Sequence, residues 1–323
     1  MMQRSAIIDK FIANSAWADW TRTPLAGDAS GRRYERLTHN GQSVILMDDA
    51  PENGASTSKF AQITQLLIAY NLTPPEILEH EPDLGIMVLS DLGAEDFAHW
   101  LSIYPDRSLT LYRAAADVLV ELAQQAAPRD LQLMTPEVGA QMVEITCTYY
   151  AQSSSSGLID TVRDAMERLA PDANTLALRD YHAENLIWRP DQTGLKRVGL
   201  LDYQDAFVAP AGYDLASLLR DVRREIDPAL AQEITTYFMA KTKAGKTFPA
   251  QLACLGAQRN LRILGVFARL ASALNKPRYV NFIPRVWDNL LSDLRHPELK
   301  LLDQAVRDTL PAPENEFLTR LRG

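Results

Sequence analysis

Cysteine is scarce in this 323-residue chain, which holds only Cys147 and Cys254. Both sit in apolar stretches with helical spacing, so a disulfide framework is excluded and buried free thiols are expected. Long apolar runs are missing too. None reaches the ~18 residues that suggest a membrane span, and Asp9 and Lys10 interrupt the apolar residues near the start, unlike a secretory leader. A cytoplasmic protein with no membrane partner is therefore expected. An excess of positive charge is also absent. The 33 Lys+Arg and 41 Asp+Glu residues leave a formal net charge of -8 at pH 7, which argues against a general nucleic-acid partner. There is no internal repeat, heptad array or low-complexity domain. What remains is ordinary globular composition, 46% hydrophobic and 23% charged, in a chain long enough for two lobes with separate cores.

The periodicity predicts an N-terminal helix over 6–20, from the spacing of Ile7, Ile8, Phe11, Ile12, Ala16, Trp17 and Trp20. Strands follow on either side of the small-residue stretch 26–31. Asn40-Gly41 predicts a two-residue hairpin turn into a strand from Ser43 to Met47. A helix over 59–70 carries Phe60, Ile63, Leu66 and Leu67 as its stripe, and Pro74-Pro75 ends it. Two more strands, at Ile77–His80 and Gly85–Leu89, complete a small sheet. Beyond about residue 93 the pattern turns helical, at about 94–103, 108–126, 136–151, 158–169, 213–225, 228–243, 249–274, 278–294 and 298–309. The expected organisation is an N-terminal lobe over 1–93, with a hinge at about 89–93, and a larger lobe over 94–323.

The chemistry concentrates in Asp180, Asn185 and Asp202. Leu186-Ile187-Trp188 and Val198-Gly199-Leu200-Leu201 read as strands separated by turn residues, Arg189 to Gly194. A hairpin there brings Asn185 and Asp202 to one end, close enough to share a cation. A carboxylate that orients a hydroxyl, with a carboxamide and a second carboxylate for Mg²⁺, is equipment for phosphoryl transfer. Asp-x4-Asn alone is a weak signal. The hairpin, the second Asp at its end and Ala211-Gly212-Tyr213-Asp214-Leu215 downstream make the combination specific to a nucleotide-dependent kinase.

Most of the chain resembles the aminoglycoside phosphotransferase and choline-kinase branch of the protein-kinase-like fold. Within it, Gly27 to Tyr34, Arg179 to Leu186, Leu201 to Ala206 and Pro210 to Asp221 are similar to the anomeric N-acetylmuramate/N-acetylglucosamine kinases of cell-wall recycling. The resemblance implies an α+β, two-lobe fold, with a small antiparallel sheet lobe and a larger, mainly helical C-terminal lobe. It implies ATP and Mg²⁺ as cofactors, Asp180 as catalytic base and Asn185 and Asp202 as metal ligands. Ser90, Asp91 and Leu92 would form the hinge that reads the base. Ser30 and Gly31 would cover the β-phosphate. His182 is expected as a structural support, and Asp214 as a brace for the catalytic loop or an N-cap of its helix.

The chain departs from that pattern where a kinase carries a strand lysine paired with a helix glutamate. Met47 occupies the lysine position, and the helix at 59–70 has no acidic residue. A two-residue turn at Asn40-Gly41 puts Tyr34 opposite Met47, Arg36 opposite Ile45 and Arg32 opposite Asp49, all on one face of the sheet. Arg32 or Arg36 is therefore expected to supply the missing charge, unless these arginines only pair with nearby acids. Arg33 points the other way. Leu178 stands where relatives carry an architectural His.

The acceptor is expected to be a small-molecule sugar. Arg220, Arg223 and Arg224, read as one helical face, tilt the reading toward an anionic or neutral sugar rather than a polycationic aminoglycoside. Tyr181, Glu184 and Asp205 are candidates for contacts to its hydroxyls, with Arg220 and Arg224 beside them. Aminoglycoside phosphorylation and a nucleotide-binding scaffold without turnover are the alternatives.

Overall fold

The computed structural model describes residues 4–25, 31–53, 57–153 and 156–322. The chain begins with α1 (Arg4–Ala13), β1 (Thr21–Pro24), β2 (Arg33–His39), β3 (Gln42–Asp48), α2 (Thr57–Ala69), β4 (Ile77–Glu81) and β5 (Ile86–Ser90). It continues through α3 (Phe97–Ile103), α4 (Ser108–Gln124), α5 (Pro136–Gln141), the short α6 (Glu144–Thr146), α7 (Ser156–Leu169) and β6 (Thr175–Ala177). Next come the hairpin strands β7 (Leu186–Trp188) and β8 (Val198–Leu200), then β9 (Phe207–Ala209). The last elements are α8 (Tyr213–Leu219), α9 (Pro228–Thr242), α10 (Phe248–Ser272), α11 (Ile283–Leu294), α12 (Lys300–Thr309) and α13 (Asn315–Arg322). This is the α+β class expected from the sequence.

The chain separates into two compact units, residues 1–100 with 184–204, and residues 101–183 with 205–323. The first is built on an antiparallel sheet in the order β1-β2-β3-β5-β4. Its central register follows the Asn40-Gly41 turn, where φ is 49° and 78°. That turn sets Tyr34 opposite Met47 and Arg36 opposite Ile45, as the sequence predicts. Leu37, Val44, Leu46, Ile86 and Val88 bury one face with Ile8 and Ile12 of α1. Alternation then assigns Ile45 and Met47 to the opposite face. The β7–β8 hairpin joins this unit because its backbone is satisfied there: Leu200 N–H donates to Thr73 O at 2.9 Å and Trp188 N–H to Glu95 O at 3.0 Å. Trp188 also packs edge-on against Phe97, with 5.6 Å between ring centroids.

The second unit is mainly helical. Its core runs from α5 and α7 through the long α10 to α11, α12 and α13. Two three-residue strands, β6 and β9, pair antiparallel from Thr175 opposite Ala209 to Ala177 opposite Phe207. They end beside the loop at 178–183. Both cysteines are buried and free, as expected. No helix among the described residues is long and apolar enough to cross a membrane.

Candidate functional site

In the first unit the β7–β8 register closes the hairpin at Leu186 opposite Leu200. Just outside that pair, Leu201 N–H donates to Asn185 O at 3.0 Å. Asn185 and Asp202 thus flank the end of one hairpin, as the sequence predicts, and both line a cavity of about 280 Å³. Ile45, Leu89, Ile187 and Leu201 give this cavity apolar walls, while Ser90, Asp91 and Leu92 form its edge. A mainly apolar cavity that also holds a carboxylate suits a base against the apolar residues and phosphates beside the carboxylate. Asp202 is held at φ 56°, a left-handed conformation uncommon for a residue with a side chain. Gln204 Nε2 donates to its Oδ1 at 2.8 Å. The carboxamide and carboxylate are hard oxygen donors, and this set fits Mg²⁺ completed by water and phosphate oxygens.

The hinge residues are partly committed. Ser90 N–H donates to Glu76 O at 2.8 Å, and Ser90 Oγ accepts from Glu76 N–H at 2.8 Å. Arg36 Nε donates to Asp91 Oδ2 at 2.6 Å, and Arg36 Nη2 to Asp91 Oδ1 at 3.2 Å. Arg36 is one of the two arginines expected to supply the missing charge. It lines the cavity, but its guanidinium is spent on the hinge carboxylate. Arg32 instead lies 2.9 Å from Asp49 and 4.0 Å from Asp202. Arg33 is exposed, and so is Gly31. Ser30 lies outside the described residues.

In the second unit, residues 178–180 are fixed by buried groups. Asp214 Oδ2 accepts from Leu178 N–H at 2.5 Å and Asp214 Oδ1 from Arg179 N–H at 3.0 Å. Asp214 sits inside α8, whose N-cap is Gly212, so bracing and not capping is its role. Burial pushes its carboxyl up to about 6, against the Leu178 N–H, the Arg259 charge and the Arg179 N–H. Arg259 Nη1 donates to Arg179 O at 2.8 Å, and its guanidinium stacks on the Tyr213 ring at 5.2 Å. Arg179 itself adopts φ 77°. The strained turn is thus tied from both sides, which leaves Asp180 half-buried at its end.

His182 is buried, and burial together with the Arg223 and Arg259 charges drives its pKa well down, so the imidazole is neutral. That agrees with support rather than proton transfer. Tyr181 must be removed from the substrate contacts. It is 1% exposed, and its hydroxyl donates to Ala115 O at 2.8 Å. Glu184 and Asp205 are exposed.

The arginine face expected on a helix over 213–225 is also corrected. Helix α8 stops at Leu219, because the Asp221 carboxylate takes Arg223 N–H at 2.9 Å and turns the chain out of the helix. Arg220 and Arg224 nonetheless line one cleft of about 740 Å³, with Asp221, Asp288 and Asp293. Arg220 is held by Asp293, with Nε at 2.8 Å and Nη2 at 2.6 Å from Oδ1. Arg224 Nε is buried with no hydrogen-bond partner among the described residues. The Asp221 carboxylate also faces the Ala183 N–H, so a wall of this cleft reaches the loop at 178–183.

Sequence reasoning missed Arg259 and Arg262 on α10. Arg259 is 7% exposed. Arg262 is lowered by burial and the Arg179 charge, and the Asp180 carboxylate opposes this. The available signal was two arginines three positions apart inside a long, largely apolar helix.

A model of the phosphotransferase enzyme family matches residues 21–244. An N-acetylmuramate/N-acetylglucosamine kinase of Caulobacter vibrioides is 33% identical over 92% of this chain and 95% of its own length. One from Pseudomonas aeruginosa is 27% identical over 87% of this chain and 86% of its own. Among solved structures, a choline kinase from Streptococcus pneumoniae superposes with a TM-score of 0.63 at 15% identity, covering 89% of this chain and 99% of that one. The last likeness establishes the protein-kinase-like fold.

Proposed function

Because the chain belongs to the phosphotransferase enzyme family, we propose that it is a sugar kinase that moves the γ-phosphoryl group of ATP to the anomeric hydroxyl of N-acetylmuramate or N-acetylglucosamine. The observation that carries this reading is the cavity in which Asn185 and Asp202 stand beside an apolar base slot, in a chain whose relatives are named for that activity.

Each residue then has a task. Ile45, Leu89, Ile187 and Leu201 enclose the base. Ser90 N–H is already donated to Glu76 O, and the Leu92 N–H is assigned to the base. Asn185 and Asp202 would hold Mg²⁺, which when bound neutralises phosphate charge. Asp180 orients the acceptor hydroxyl and receives its proton, positioned by Asp214 and Arg259 through the backbone of 178–179. Positioning of this kind supplies most of the catalysis in phosphoryl transfer. The cleft lined by Arg220, Asp221 and Arg224 is assigned to the acceptor, with the Arg224 charge for a sugar carboxylate. Dependence on ATP supports a cytoplasmic location, and cell-wall recycling is the fitting role.

ADP release measured with N-acetylmuramate, N-acetylglucosamine, kanamycin and choline tests the reading. Turnover with the two amino sugars supports it. Turnover with kanamycin alone would move the enzyme to antibiotic modification, and ATP binding without turnover on any acceptor would make it a scaffold.

A further inference from the structure

The missing lysine–glutamate pair has a physical consequence in the first unit. Met47 is 0% exposed, so an ammonium at that position would be desolvated. Helix α2 offers no carboxylate to receive it. The helix is tied in by other means: Thr64 Oγ1 and Tyr203 Oη share a buried hydrogen bond of 2.8 Å, and Phe60 stacks on Tyr203 at 5.0 Å. A hydroxyl pair and two rings hold the helix to the segment after β8, where no ionic link ties it to the strand. The phosphates of a nucleotide still need a fixed positive charge.

One cation of this unit stands beside the metal-binding carboxylate. Arg32 immediately precedes β2, and one step beyond the last pair, Arg33 opposite Asp48, it meets Asp49. It lies two residues from Tyr34, which faces Met47, so it projects from the same side of the sheet. The displacement along the strand is about 7 Å, a distance that the long arginine side chain spans. Asp49 is 2% exposed and fixed by its own N–H, which donates to Gly85 O at 2.9 Å. Its Oδ1 has no hydrogen-bond partner among the described residues, so Arg32 is the group that neutralises it. The other end of the guanidinium reaches toward Asp202, with Nη1 4.0 Å from Oδ1. Arg36, which shares this face, is committed to Asp91, while Arg4 and Arg22 are held on the opposite face, by Asp48 and by Glu35 with Asp9.

We infer that Arg32 and Asp49 form a relocated ion pair that does the work of the absent strand lysine and helix glutamate, with Arg32 as the phosphate-binding cation and Asp49 as the residue that positions it. The inference rests on the nucleotide-binding reading of the cavity. Because both partners sit at the end of the β2–β3 ladder, Arg32 just before β2 and Asp49 just after β3, orientation of the cation does not depend on a carboxylate from α2. In the usual arrangement the helix carries half of the pair. Here the sheet carries all of it.

Calorimetric titration of the full chain with Mg·ATP, Mg·ADP and adenosine tests this. Arg32→Ala is expected to weaken Mg·ATP and Mg·ADP by about 10- to 100-fold, the range of a charge-assisted contact, and to leave adenosine binding unchanged. Arg32→Ala alone strands a buried carboxylate and could cost folding, so Arg32→Ala/Asp49→Ala, which removes both charges, is measured beside it. The double variant should bind Mg·ATP no more weakly than Arg32→Ala, because Asp49 acts through Arg32. Asp49→Ala alone should raise the Kd for Mg·ATP and spare adenosine. Equal loss of adenosine and ATP would show a merely structural pair and overturn the inference. Unchanged ATP affinity in the double variant would overturn it as well, while leaving the kinase reading intact. If the unaltered protein bound none of the three, both readings would fall.

Discussion

Arg36 reaches across the sheet from β2 to grip Asp91 with two nitrogens, at 2.6 and 3.2 Å, and Asp91 in turn accepts the Gly93 N–H at 3.0 Å. The hinge of the cavity is therefore an ionic clasp. Burial raises the Asp91 carboxyl, yet hydrogen bonds from Arg36, Gly93 N–H and Ser43, with the Arg36 charge, bring it below its ordinary range. A carboxylate depressed in the fold stabilises above its unfolded pKa of about 3.9, and that contribution is lost as pH falls through the folded value.

Arg36→Ala should consequently destabilise the protein by about 1–2 kcal/mol at neutral pH, allowing for partial exposure of the pair. The difference from the unaltered protein should shrink below about pH 4. Urea unfolding at a series of pH values checks both statements. A difference that persisted undiminished in acid would show that the clasp is not ionic.

Asp214→Asn addresses the brace. The amide keeps one acceptor oxygen and turns an NH₂ toward the second backbone N–H of the pair at 178–179. Displacement of the turn should lower kcat by about 100-fold with little change in KM for ATP. Stability and turnover should respond to pH in opposite directions. The Asp214 pKa is raised to about 6 by burial, so its stabilising contribution is fully present below about pH 4 and is lost as pH rises toward the folded value. Turnover instead declines below about 6, as the carboxylate that accepts both N–H bonds is protonated. The variant should lose the stability slope.

Gly265 tests the packing of α10. An alanine Cβ there would come within 2.5 Å of Thr146 N and 2.6 Å of Ile145 C, both backbone atoms that cannot swing aside. Helix propensity favours alanine by about 1 kcal/mol, but forcing apart two backbone segments costs more. Gly265→Ala should be destabilising by about 2 kcal/mol, read as a lower denaturation midpoint. A rise would mean that α10 and α6 separate more easily than their contact implies.

Much of this architecture was legible because local chemistry dictates it. Asn40-Gly41 accepts two positive φ angles and so fixes the β2–β3 register. The turn residues at 189–194 likewise place Asn185 and Asp202 on one hairpin end. The helix starts were less legible where side chains compete with the backbone. Asp96 Oδ1 takes His99 N–H, so α3 begins at Phe97 rather than near 94. The N-terminal helix stops at Ala13 and not near 20, where Asn14 Nδ2 and Ser15 Oγ turn back onto the carbonyls of Lys10 and Ile12. The segment 136–151 reads as one helix but breaks at Met142–Val143 and ends in a π-turn at Cys147–Ala151.

Non-local pairings were the least legible. Strands β6 and β9 are three residues each and find one another across some thirty residues of chain, with no tight turn joining them directly. Helix α13 follows Pro311-Ala312-Pro313, which masks its apolar stripe. The same holds at the site. Asp180, Asn185 and Asp202 carry a spacing that sequence can show. The hairpin register already sets Arg32 opposite Asp49, but the partners of Arg36 and Arg220, which are Asp91 and Asp293, are choices made by the fold among many acids.

The most direct test of the account is ³¹P NMR of the products formed from Mg·ATP and N-acetylmuramate. The expected result is a new sugar-phosphate resonance that disappears on mild acid treatment, as an anomeric phosphate does, and that is not formed by Asp180→Asn. An acid-stable phosphate monoester, or a resonance undiminished in Asp180→Asn, would contradict the assigned acceptor hydroxyl or the assigned base respectively.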